Sequence, residues 1–153
     1  MRVALLAVLV AQIAAPPPRS GHAVVTSAPA AVGAEAGKTL ALFVDVAPKP
    51  GIHVYAPGAK DYLAVSLKLS PQPEAKAGKV AFPPSEVMFF EALNERVPVF
   101  QKPFRITQPV TLDRSAKPGS TVIVSGTLSY QACDDKTCYP PDSSPVSWRV
   151  TVK

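Results

Sequence analysis

Eighteen prolines are spread through 153 residues, over twice the usual share of about 5%. Proline has no backbone N–H and its ring clashes with the preceding helical turn, so this distribution excludes long helices. It favours strands broken by turns, with proline at edges and corners. The turn signals agree: Pro48-Lys49-Pro50-Gly51, Pro57-Gly58, Pro71-Gln72-Pro73, Pro83-Pro84 and Lys117-Pro118-Gly119.

Between the turns the apolar residues alternate. Leu40, Leu42, Val44 and Val46 share one strand face, and Leu63, Val65, Leu67 and Leu69 another. Phe104, Ile106, Val110 and Leu112 form a third set, and Val122, Val124, Leu128 and Tyr130 a fourth. Val146, Trp148, Val150 and Val152 form the last, against Ser147, Arg149 and Thr151. A period of two marks half-buried strands, and several such strands between turns predict an all-β antiparallel sandwich. A first strand is expected near Ala23–Ser27, followed by a loop to residue 38. Val80–Phe82 and Glu86–Phe90 read as short strands, and Glu91–Arg96 as a loop. Phe89 and Phe90 are adjacent, so a strand sends them to opposite faces. One is expected in a core and the other half-exposed.

The length suits one domain, and with 47% hydrophobic residues the chain can bury a core without depending on disulfides. The net charge is +5, or +3 without Arg2 and Arg19. The remaining basic residues are scattered and do not interleave with aromatics, which argues against nucleic-acid binding.

Met1-Arg2 precedes an apolar run, Val3–Ala11. This is the layout of a secretory signal peptide, and the run is shorter than the roughly 20 residues of a membrane span. Residues 1–23 are expected to be the signal peptide, cut after Ala23, with residues 24–153 as the exported domain. An uncleaved leader acting as a tether is the alternative. Export places the two cysteines where a disulfide persists.

Those cysteines lie in Tyr130-Gln131-Ala132-Cys133-Asp134-Asp135-Lys136-Thr137-Cys138-Tyr139-Pro140-Pro141. A bridge across a hairpin-like turn is feasible, since paired antiparallel Cα atoms lie about 4.5–5.5 Å apart and a disulfide accepts about 4.4–6.8 Å. So small a loop contributes only about 2 kcal/mol by chain entropy. Continuing the strand register puts Cys133 on the face away from the main core, where a partner reaches it more easily. Asp134 and Asp135 disfavour its thiolate and Lys136 favours it, so no strongly activated nucleophile is expected. A structural disulfide, a redox-exchange pair and a metal site all stay open. Metal is the weakest, because structural zinc takes four Cys or His ligands and this chain adds only His22 and His53. His53 reads as a strand-end residue, and nothing in the spacing brings it to a cysteine.

Tyr-Gln-x-Cys followed by Cys-Tyr-Pro-Pro resembles the signature of the N-terminal periplasmic domain of the thiol:disulfide interchange protein DsbD. Gly51-Ile52-His53-Val54-Tyr55, Phe82-Pro83-Pro84 and Val97-Pro98-Val99-Phe100 resemble further elements of that domain, in the same order. The resemblance implies an immunoglobulin-like β-sandwich with a redox pair at one end. It implies Cys138 as the cysteine that forms mixed disulfides and Cys133 as the one that resolves them. It also implies a cap near Met88–Leu93 with Phe89 and Phe90 shielding the pair, and Tyr55, Tyr130 and Tyr139 lining that end. The implied partners are a thioredoxin-like donor domain or membrane electron transporter and periplasmic disulfide proteins. No cofactor is implied beyond the disulfide itself. The family's membrane-spanning and thioredoxin-like parts have no counterpart in these residues, so a separately encoded donor is expected. The alternative is a non-catalytic exported binding module whose Cys133–Cys138 bridge is structural.

Overall fold

The alternating runs become the long strands of two facing sheets. The computed structural model describes residues 21–153, so most of the expected signal peptide lies outside the described residues. In chain order the strands are β1 (Ala23–Ala28), β2 (Ala31–Ala34), β3 (Thr39–Pro48), β4 (His53–Tyr55), β5 (Ser66–Leu69) and β6 (Ala75–Ala77). They continue with β7 (Glu86–Phe90), β8 (Glu95–Phe100), β9 (Phe104–Leu112), β10 (Thr121–Tyr130), β11 (Ala132–Cys133) and β12 (Asp142–Val152). A single 3-10 turn, Glu91–Leu93, joins β7 to β8, and Asn94 reverses the chain there with φ 53°.

One sheet has the order β1-β3-β9-β6 and the second β2-β12-β10-β5. Their inner faces carry the predicted sets. Leu42, Val44, Ile106 and Val110 from one side meet Val124, Leu128, Trp148 and Val150 from the other, each at most 1% exposed. Burying a side chain of this size contributes about 1.5–3 kcal/mol, so this layer dominates the fold's stability. Trp148 Nε1 donates to the Phe43 carbonyl at 3.1 Å, tying the sheets together with a hydrogen bond that a buried indole N–H requires. The architecture is an all-β, immunoglobulin-like β-sandwich.

Several local expectations are corrected. The stretch expected as a loop contains β2, which pairs parallel with β12 while the other ladders are antiparallel. Leu63 is 44% exposed, and β5 begins only at Ser66. Val80–Phe82 makes only a bridge at Ala81–Thr107. Gln108 occupies a core-facing position of β9, 2% exposed, and its Nε2 donates to the Gly78 and Pro109 carbonyls. The expected first strand is present as β1, where Ala23 lies opposite Pro48 and is 1% exposed.

A third sheet, β11-β4-β8-β7, covers one end of the sandwich. Period two gives it two working faces. Val54, Phe100 and Ala132 belong to the main core. Their neighbours Tyr55, Val99 and Cys133, with Val97, form a second cluster on the other face. Met88 and Phe90 of β7 pack against that cluster.

Candidate redox site

The cysteine loop is built by a change of sheet. β10 ends at Tyr130, and the chain then adds Ala132 and Cys133 to β4, opposite Val54 and His53. The turn that follows is held by an acidic side chain. Asp134 Oδ1 accepts the backbone N–H groups of Lys136 at 2.8 Å and Thr137 at 2.7 Å. Its Oδ2 accepts the Tyr139 hydroxyl at 2.6 Å. Asp is suited to this because its short carboxylate reaches backbone N–H groups two and three residues on. The Tyr139 hydroxyl, then the two backbone donors, hold the Asp134 carboxyl below the ordinary carboxylate range.

Cys133 and Cys138 form a disulfide across this turn, with Cα atoms 4.0 Å apart. The two sulfur-bearing residues differ sharply in access. Cys133 is 0% exposed, whereas Cys138 is exposed. The Tyr55 hydroxyl lies 3.3 Å from both Sγ atoms. Burial, and then the nearby Glu95 charge, push the Tyr55 phenol up, so it stays protonated and is available as a donor. Tyr62 stacks on Tyr55 with centroids 4.3 Å apart, and its own hydroxyl donates to Glu95 Oε2 at 2.9 Å.

The family model for the thiol:disulfide interchange protein DsbD, N-terminal, matches residues 22–147. The chain belongs to this DsbD N-terminal family. Among curated proteins nothing matches. Among solved structures the chain is similar to a family 123 glycoside hydrolase from Clostridium perfringens, at 11% identity and a TM-score of 0.41, covering 86% of this chain and 27% of that one. It is similar to AggA, the major subunit of aggregative adherence fimbriae type I from Escherichia coli, at 11% identity and a TM-score of 0.37, over 86% and 94% of the two chains. It is also similar to BcpA, the major pilin subunit of Bacillus cereus, at 8% identity and a TM-score of 0.42, over 86% and 40%.

Within the DsbD N-terminal framework, the expected site residues divide. Tyr55 is at the disulfide. Phe89 and Phe90 do point to opposite faces. Phe90 is half-buried in the second cluster, its ring 5.6 Å from that of His53. Phe89 is 46% exposed under the Arg96 guanidinium, 5.3 Å from its ring centroid. Met88, Phe89, Phe90 and Leu93 form one wall of a groove of about 640 Å³ whose opposite wall is the loop from Cys133 to Cys138. Tyr139 braces the loop from outside, its ring stacked on His22 with centroids 3.8 Å apart.

Tyr130 departs from the expectation that it lines the site. It is 0% exposed in the main core, and its hydroxyl donates to Asp142 Oδ2 at 3.1 Å. The position of Cys133 is also corrected. It does face away from the main core, but the third sheet buries that face, so its sulfur is not the accessible one.

Sequence reasoning missed His53. It begins β4 as expected, but its register partner is Cys133. It is 2% exposed, and burial holds its imidazole below the ordinary histidine range, against the opposing pull of Asp135 and Asp134. The Gly51-x-His53-x-Tyr55 spacing was the available signal. With a period of two it puts His53 and Tyr55 on one face, so a contact of Tyr55 with the cysteines carries His53 along.

Proposed function

We propose that this chain is an exported, periplasmic thiol–disulfide exchange domain. It relays reducing equivalents between a thioredoxin-like donor, or a membrane electron transporter, and periplasmic disulfide proteins. The observation that carries the reading is the asymmetry of the pair: Cys138 exposed, Cys133 fully buried, and one phenolic donor within 3.3 Å of both sulfurs.

Exchange proceeds through a mixed disulfide. A donor thiolate attacks Cys138 Sγ, and Cys133 Sγ leaves as a thiolate that accepts the Tyr55 hydroxyl. The donor's second thiolate then attacks its own sulfur in the mixed disulfide and releases the Cys138 thiolate. Two electrons have moved from the donor dithiol to this domain. In the delivering half, Cys138 thiolate attacks a client disulfide and Cys133 resolves the adduct. A negative charge forming beside a preorganised donor in a dry site is stabilised more than in water. Phe89 and Phe90, across the groove, act as the shield that a docking partner displaces.

The test is trapping together with a redox titration. Cys133→Ala should accumulate a mixed disulfide through Cys138 when mixed with a client disulfide protein, because the resolving thiolate is gone, and Cys138→Ala should not. A midpoint below about −300 mV, the range of structural disulfides, together with no trapped adduct, would sink the relay.

A further inference from the structure

His53 is a titratable group in the site that disulfide exchange through Cys138, Cys133 and Tyr55 does not use. It is 2% exposed, and its Nε2 is buried without a hydrogen-bond partner. Buried polar atoms are rarely left in this state, and each exception asks for a reason. His53 and Cys133 are direct register partners on neighbouring antiparallel strands. Such partners project to the same face with Cβ atoms about 4.5–5.5 Å apart. In the disulfide, Cys133 has no S–H to offer. Reduction creates one donor there, next to an acceptor that has none.

We propose that His53 Nε2 is the proton acceptor for the Cys133 thiol in the resolving step. The inference rests on the exchange function proposed above. Once Cys138 has attacked a client disulfide, the mixed disulfide Cys138–S–S–R stands beside Cys133 as a thiol. Nε2 takes the Cys133 proton. The Cys133 thiolate attacks Cys138 Sγ, the internal S–S bond forms, and R–S⁻ leaves with the electron pair. The imidazolium proton then passes to that thiolate or to solvent. The client is reduced by two electrons and the pair is oxidised, so no further reagent is needed.

The surroundings keep Nε2 free for this role. From β7 the neighbour is the apolar Phe90, and from its own strand the ring edge of Tyr55, both at 5.6 Å between centroids. The charged groups acting on it are Asp135 and Asp134 of the loop, which favour the transient imidazolium. Burial favours the neutral base between turnovers.

Reduced protein mixed with dithiobis(nitrobenzoate) tests the step directly. Cys138 attack releases one coloured thiolate, and Cys133 resolution releases a second. His53→Gln should leave the first phase unchanged. It should slow the second about 30-fold at pH 7, because an ordinary cysteine is only a few per cent thiolate there. The slowed phase should rise about tenfold per pH unit up to the thiol pKa, whereas the wild-type second phase stays nearly flat. An unchanged second phase and pH profile in His53→Gln overturns the inference. Should that variant fail to fold, the His53 imidazole titration is compared by NMR in reduced wild type and reduced Cys133→Ala. The inference requires the two curves to differ, and superimposable curves overturn it. If wild type itself shows no ordered two-phase release, the exchange function has failed instead.

Discussion

Replacing Tyr55 by Phe removes one oxygen and little else. The ring stays stacked on Tyr62, and the second cluster keeps its volume. What is lost is a donor 3.3 Å from both sulfurs. In the disulfide that contact is weak, since neutral sulfur is a poor acceptor. When Cys133 leaves as a thiolate, the same contact becomes charge-assisted and is worth about 1.5–3 kcal/mol. The long O···S distance places it at the lower end. About 1.5 kcal/mol on the barrier corresponds to roughly tenfold in rate. The same amount on the reduced state corresponds to roughly 30 mV for a two-electron couple. Tyr55→Phe should therefore be reduced about tenfold more slowly by a dithiol, with a midpoint more negative by up to about 30 mV. Stopped-flow fluorescence and a glutathione titration measure the two quantities. Stability in denaturant should change by no more than about 1 kcal/mol, the net worth of one neutral hydrogen bond. A reduction rate within twofold of wild type, in a variant of normal stability, would refute stabilisation of the leaving sulfur by Tyr55.

Phe90→Ala should cost about 2 kcal/mol in denaturant unfolding, roughly half the loss at a fully buried Phe, whereas the exposed Phe89→Ala should cost under about 1 kcal/mol. The double variant should alkylate several-fold faster at reduced Cys138, and an unchanged rate would count against a shielding role. Asp134, with its folded carboxyl held below the ordinary range by Tyr139 and two backbone donors, stabilises the fold above the unfolded pKa of about 4 and loses that contribution as pH falls through the lower folded value. The stability gap between wild type and Asp134→Asn should thus be largest above about pH 4 and close on acidification. A gap that is constant from pH 2 to pH 6 would show that the charge is not what holds the turn.

The long strands were legible because one large apolar residue at every second position has a single physical solution, a half-buried strand. Tyr130 is instructive. The alternation put it in the core set with Val122, Val124 and Leu128, and the core is where it lies; only the family resemblance moved it toward the cysteines. β2 was not legible because Ala31-Val32-Gly33-Ala34 has little side chain to alternate and gains its order from the finished β12 beside it. The third sheet was harder again. Its strands are two to six residues long, and two of its three ladders, β11 with β4 and β4 with β8, join segments far apart in sequence. Parity gave the side of the sheet that Cys133 faces, but no local pattern says what covers that side. The pairing of His53 with Cys133 has the same origin, since it exists only once β4 and β11 have met.

The two-faced third sheet also has an evolutionary meaning. Odd-numbered residues on β4, β8 and β11 meet the redox pair, while Val54, Phe100 and Ala132 seal the sandwich. Each backbone ladder thereby holds two sets of side chains that do not compete for space. A lineage can exchange the histidine or tyrosine on the face toward the redox pair, retuning proton handling or potential, without altering the volume of the main core on the other face. Chemistry and foldability are then free to drift separately, although single residues along one strand divide them.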